Sequence, residues 1–170
     1  MAVENSSLGL KSIKIAEVNP LAIPDAYPVE LYDAQVDSAT IAETEPTVED
    51  IRIEQKKGIY RRIVTEEGAV TYTIQLYDLS VDQISAVKGG TVTPATATVG
   101  KRWGRTETAE LKKALELVTL DDFKIYFPNA HVLALITWPT SRTALGTITI
   151  TFTAQDHPEG DIVIEEPLED

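Results

Sequence analysis

Two stretches of strict alternation do most to fix what this chain can fold into. Residues 70–77 place Val70, Tyr72, Ile74 and Leu76 on one side and Thr71, Thr73, Gln75 and Tyr77 on the other. Residues 146–153, GTITITFT, turn Ile148, Ile150 and Phe152 inward and Thr147, Thr149, Thr151 and Thr153 outward. A period of two sustained over about eight residues is the pattern of a strand with one buried face. Outward threonine suits a strand and offers hydroxyls to a partner strand.

The surrounding sequence extends the β reading. A short strand is expected at residues 12–16, another from Val48 to Glu54 and another over 59–65. Glu66-Glu67-Gly68 reads as a turn that joins 59–65 to 70–77 as a hairpin. A helix is expected over about residues 80–88. Ser80 and Gln83 have capping-box spacing, Val81, Ile84, Ala86 and Val87 form its apolar stripe, and Gly89-Gly90 end it. So short a helix must pack on a sheet to persist. Residues 91–99 read as a strand interrupted at Pro94, and 100–105 (GKRWGR) as a loop. Residues 106–118 are ambiguous, with helical spacing and helix formers set against alternation in KALELVTL; the neighbouring context favours a strand over 114–120. Asp121-Asp122 reads as a hairpin turn, followed by strands at 123–127 and 131–138 with Pro128-Asn129 between them.

Charge divides the chain into patches. The balance is −12, yet Arg52, Lys56, Lys57, Arg61 and Arg62 form a basic island. It lies between an acidic stretch over residues 15–51 and an acidic C-terminal region over 143–170, both without lysine or arginine. Opposite patches on one chain suit self-association. The net charge opposes binding to a phosphate backbone. The loop bearing Arg102, Trp103 and Arg105 is expected to meet an acidic neighbour rather than nucleic acid. The first 35 residues, with Pro20, Pro24 and Pro28, read as an extended arm, residues 36–160 as the folded domain and 161–170 as an acidic tail.

Chemistry is sparsely provided for. With no cysteine, the chain has no thiolate nucleophile and no cysteine-held metal. No serine sits in a nucleophile elbow. Gly89-Gly90 follows a helix, whereas phosphate loops open one. Asp156, His157 and Asp161 are the only group with any metal-ligand character, and His131 begins an apolar strand. The expectation is therefore a protein with no catalytic residues, no cofactor and no metal. The N-terminus lacks a signal-peptide pattern, and no apolar run approaches the roughly 20 residues of a membrane span. Synthesis and folding in the cytoplasm are expected. A second expectation is a carbohydrate-binding or adhesin-like module with Tyr60, Tyr72, Trp103 and Trp138 as an aromatic platform.

The ordered set QLYDLSVDQISAVKGGTVT (75–93), DDFKIYFPNAHVLALITW (121–138) and ALGTITITFTAQD (144–156), with TEPTVEDIRIE (44–54) before them, resembles bacteriophage tail tube proteins, the major tail proteins. The resemblance covers roughly the C-terminal three quarters of the chain. It implies a mainly β fold, a sandwich- or barrel-like pair of sheets flanked by one short helix. It also implies homo-hexameric rings that stack into a virion tail tube, made in the host bacterial cytoplasm. The partners would be further copies and other tail proteins, with DNA only in transit. The inner tube of a bacterial contractile injection system is a close structural analogue. Arg52, Lys56, Lys57, Arg61, Arg62, Arg102, Trp103 and Arg105 are the candidate contact residues between copies, together with the arm and the acidic tail.

Overall fold

The computed structural model describes residues 8–107 and 110–168. Residues 1–7 of the expected arm, 108–109 of the ambiguous stretch and 169–170 of the tail lie outside the described residues.

Among the described residues the chain is mainly β, with one short helix. Its strands are β1 (Ser12–Ala16), β2 (Val29–Leu31), β3 (Thr40–Glu43), β4 (Thr47–Ile51), β5 (Arg61–Glu66) and β6 (Val70–Leu76). After helix α1 (Val81–Lys88) come β7 (Thr91–Thr93), β8 (Arg102–Gly104), β9 (Lys112–Val118), β10 (Lys124–Thr137), β11 (Thr147–Ala154) and β12 (Val163–Glu165).

Eight of the strands form one antiparallel sheet in the order β2-β1-β9-β10-β11-β6-β3, with β12 also paired to β10. The hinge of the sheet is β10, which is 14 residues long. Its first part lies between β9 and β12, and its second part carries the full length of β11. The register shifts between Phe127 and Ala130, where Pro128 cannot donate to the ladder. Beyond β2 the chain meets the other half of the sheet. Ala34 bridges Leu76, Tyr77 N–H donates to Asp33 O and Gln35 N–H donates to Gln75 O. The sheet therefore curls toward closure, giving the sandwich-like layering.

Apolar positions at period two fill the interior. Ile74 and Leu76 of β6, Ile148, Ile150 and Phe152 of β11, Leu115 of β9 and Phe127 of β10 are fully buried. Helix α1 covers this core with Ile84 and Val87 and donates a hydrogen bond from Lys88 Nζ to Ala134 O at 2.6 Å.

Several expectations need correction. The 59–65 segment does not pair with 70–77. Strand β5 turns back on β4, and β6 pairs with β3 and β11. A short glycine-bearing turn signals a change of direction, not which strand is the partner. The capping box is not made. Gln83 Nε2 donates to Asp78 O at 2.9 Å and Gln83 Oε1 accepts from Tyr32 N–H at 3.2 Å, so its amide joins α1 to the end of β2. The GKRWGR segment is not simply a loop, because Arg102–Gly104 forms β8 against β7. Residues 112–118 are a strand, as the neighbouring context suggests: pairing with β1 on one side and β10 on the other outweighs local helix propensity.

Parts of the expected arm and tail belong to the sheet. Ile13 and Ile15 are core residues, and β12 brings residues 163–165 onto β10. The proline-bearing segment between β1 and β2 folds back on its own chain. The Tyr27 ring lies 6.3 Å from that of Tyr126, and Asn19 O is 2.8 Å from His157 Nε2.

Candidate interaction surfaces

The basic island lies on the β4–β5 hairpin, the least buried part of the described chain. Between Thr47 and Glu66 every residue but Ile53 is exposed. The strands pair only with each other. Cross-strand register puts Val48 beside Val64 and Asp50 beside Arg62 on one face, and Glu49 beside Ile63 and Ile51 beside Arg61 on the other. Both faces thus mix charge with apolar groups, and Val48, Ile51, Ile59, Tyr60, Ile63 and Val64 are 37–56% exposed. An isolated two-stranded hairpin is marginal in water and needs a further strand or layer.

Local contacts shape the hairpin. Arg62 forms a bidentate pair with Asp50, through Nε at 2.7 Å and a second nitrogen at 3.0 Å, which holds the Asp50 carboxyl below its ordinary pKa. Lys56 Nζ sits 5.3 Å from the Tyr60 ring centroid. Arg52, Lys57 and Arg61 also extend from the exposed hairpin. Its base is clamped: Thr44 N–H donates to Ala69 O at 3.0 Å and Ala69 N–H donates to Thr44 Oγ1 at 2.8 Å. Gly68 makes this crossing possible, since a Cβ there would stand 1.8 Å from Thr44 O.

The second candidate group is not part of this patch. Arg102 and Trp103 lie on β8 and Arg105 just beyond it, in a separate two-stranded sheet beside α1. Trp103 is half-buried and donates from Nε1 to Gly89 O at 2.7 Å, so it anchors β7 and β8 to the end of the helix. Gly90 allows this approach: its φ is +99° and a Cβ would fall 2.5 Å from the Trp103 indole nitrogen. Only the charged members of this group remain available to a partner. The proposed aromatic platform is not assembled, because Tyr72 is a core residue and Trp103 is committed to the helix end.

A third surface was not singled out by residue type. The outer face across β10, β11, β6 and β3 carries rows set by the register: Leu133, Thr151, Thr73 and Thr40, then Leu135, Thr149 and Gln75. These rows contain no charge in a chain of net charge −12. Leu133 and Leu135 are exposed on this face. The signal was present in the outward threonines, but their grouping needed the strand order.

His157 does not serve as a ligand here. It is 6% exposed, its Nδ1 accepts from Glu159 N–H at 3.1 Å, and its Nε2 faces Asn19 O. It ties the segment after β1 to the turn between β11 and β12. Among the described residues, no group of three or more His, Cys, Asp or Glu side chains is placed to hold a metal. Among the described residues, no helix is long and apolar enough to cross a membrane.

No family model matches the chain, and no curated protein matches it.

The buried tyrosines set an alkaline limit on stability. Burial raises the Tyr72 phenol above its ordinary pKa, and Tyr126 is pushed up to about 12 by burial, then by Glu165 and Glu116. A phenol whose folded pKa is raised contributes fully below its unfolded value near 10. That contribution disappears as pH rises toward the folded value. Tyr72 alone should remove about 1.4 kcal/mol per pH unit above pH ~10. Urea unfolding at pH 9, 10.5 and 11.5, with absorbance at 295 nm, should show stability falling over this interval and the late tyrosines ionising as the chain unfolds. Constant stability through pH 11.5 would contradict the burial assigned to Tyr72.

Proposed function

We propose that the chain is a non-enzymatic structural subunit that self-assembles into hexameric rings, which stack into a phage tail tube. One observation carries the reading: the β4–β5 hairpin exposes apolar side chains and five basic residues and, among the described residues, its strands pair only with each other. Such a hairpin gains a further layer if it docks on another copy. The chain also exposes acidic side chains of the complementary sign, among them Asp25, Asp33, Asp37, Glu43 and Glu45. Head-to-tail contacts of this kind close into rings or extend into tubes.

In this reading the uncharged outer face of β10, β11, β6 and β3 lines the channel. Its threonine–leucine rows carry no charged residue of their own, and the negative balance of the chain opposes DNA binding. DNA is then only in transit, the remaining partners are other tail proteins, and the place of action is the virion tail. The resemblance of 75–93, 121–138 and 144–156 to major tail proteins supports the same reading. Negative-stain images of the purified protein at micromolar concentration should show annular particles with a central hole and stacks of them. Fields of small single particles at every concentration would refute the proposal.

A further inference from the structure

The register of the sheet puts two exposed apolar surfaces at opposite ends of the same strands. The chain enters the β4–β5 hairpin just after Glu43 and leaves it just before Val70, and these two residues pair at one end of β3 and β6. At the other end of β6, Leu76 pairs with Ile148 of β11, and next to it Thr147 pairs with Thr137 of β10. Tyr77, Trp138 and Leu145 follow directly on these strand ends. A Cβ on Gly146 would fall 2.6 Å from a methyl of Leu79 and 3.8 Å from the Trp138 indole, so both side chains close over this turn. Trp138 is nevertheless 67% exposed and Leu145 70% exposed, and Tyr77 is exposed too. An indole and a leucine left in water at one strand end are the kind of anchor found at the centre of protein–protein contacts.

Charge favours one occupant. Asp33 lies at this end, since its carbonyl accepts from Tyr77 N–H at 2.9 Å, and Asp78 follows Tyr77 in the chain. Arg142, in the turn between β10 and β11, is the opposing charge. The hairpin tip carries the matching groups, with Lys56 and Lys57 exposed beside the exposed Ile59 and Tyr60. A lysine ammonium suits both a carboxylate and the face of an indole.

We propose that the Trp138–Leu145 end of the sheet receives the tip of the β4–β5 hairpin from a second copy of this chain. The proposal rests on the assembly reading and names the surface that the hairpin meets. The two patches are different and lie at opposite ends of β6. Each copy therefore gives its hairpin to one neighbour and takes a hairpin from another, and the contact repeats along the strand direction.

The test uses two full-length variants. Trp138→Lys with Leu145→Lys should weaken self-association about tenfold or more, with far-UV circular dichroism and the urea midpoint close to those of the intact chain. The second variant carries a glycine–serine linker in place of residues 47–66. Mixed, the two should form a 1:1 complex that grows no further, because one supplies the hairpin and the other the Trp138 end. A second readout uses the absence of cysteine in the chain. Leu145→Cys and Tyr60→Cys chains, mixed, should be joined by a short bismaleimide. Assembly unchanged by the lysine substitutions, no 1:1 complex, or no joined pair in the cysteine mixture would overturn this surface while leaving self-assembly intact. An intact chain that stays monomeric at every concentration would overturn the assembly reading and this surface together.

Discussion

Replacing residues 47–66 with a short glycine–serine linker should leave a folded chain that no longer associates with itself. The hairpin contributes nothing to the buried core, whose members lie on β1, β2, β6, β9, β10, β11 and α1. Its two ends are already held together at the Thr44–Ala69 clamp, so a linker of a few residues can close the gap without strain. Loop closure over such a span changes the entropy by little more than about 1 kcal/mol. Urea unfolding should therefore place the variant within about 1 kcal/mol of the intact chain. The effect on assembly should be complete. Light scattering coupled to size exclusion should report a single mass at concentrations where the intact chain forms larger species. An excised chain that still assembled would show that the hairpin is not the interface.

Phe152→Ala should have the opposite profile, a large loss of stability rooted in the core. Phe152 is fully buried on β11, the central strand of the second half of the sheet, and its ring packs against Tyr72. Truncating a buried phenylalanine costs about 3–5 kcal/mol through lost burial and the cavity left behind. Against a total of about 5–15 kcal/mol for a typical domain, much of the stability would go. With a urea slope of about 2 kcal/mol per molar, the unfolding midpoint should fall by about 2 M. Ile63→Ala on the hairpin is the contrast, since Ile63 is 37% exposed in the isolated chain and should cost the monomer under about 1 kcal/mol. Equal losses from the two substitutions would contradict the division into a packed sheet and a projecting hairpin.

What could be read from the sequence follows the physics of each segment. Strands β6 and β11 were legible because each has one face in the core and one outside, and this writes period two directly into the chain. The interruption at Pro128-Asn129 was legible as a break, but not as a bulge inside one continuous strand, since that depends on β9 and β11 holding β10 in register. Strand β9 was harder. Lys112, Lys113, Ala114, Leu115 and Glu116 favour helix locally, and only pairing on both edges makes them a strand. Turn chemistry is local and predicts β6 as the partner of β5, while the choice between β4 and β6 is made by the whole sheet.

The candidate surfaces were legible in part for similar reasons. Clustering in sequence placed five of the basic residues on one hairpin, because a hairpin keeps sequence neighbours together. Arg102, Trp103 and Arg105, the other expected contact residues, lie on a different element, which sequence distance alone does not reveal. Tyr72 looked like one aromatic among several. Only its burial in the core reveals the unpaired hydroxyl.

The role proposed for the exposed hairpin is to join copies of this chain. Sedimentation velocity of the intact protein over a hundredfold range of concentration tests it most directly. The account predicts species several times the 18.6 kDa of one chain, growing with concentration and reduced by high salt as the basic and acidic patches are screened. A single 18.6 kDa species across the whole range would contradict it.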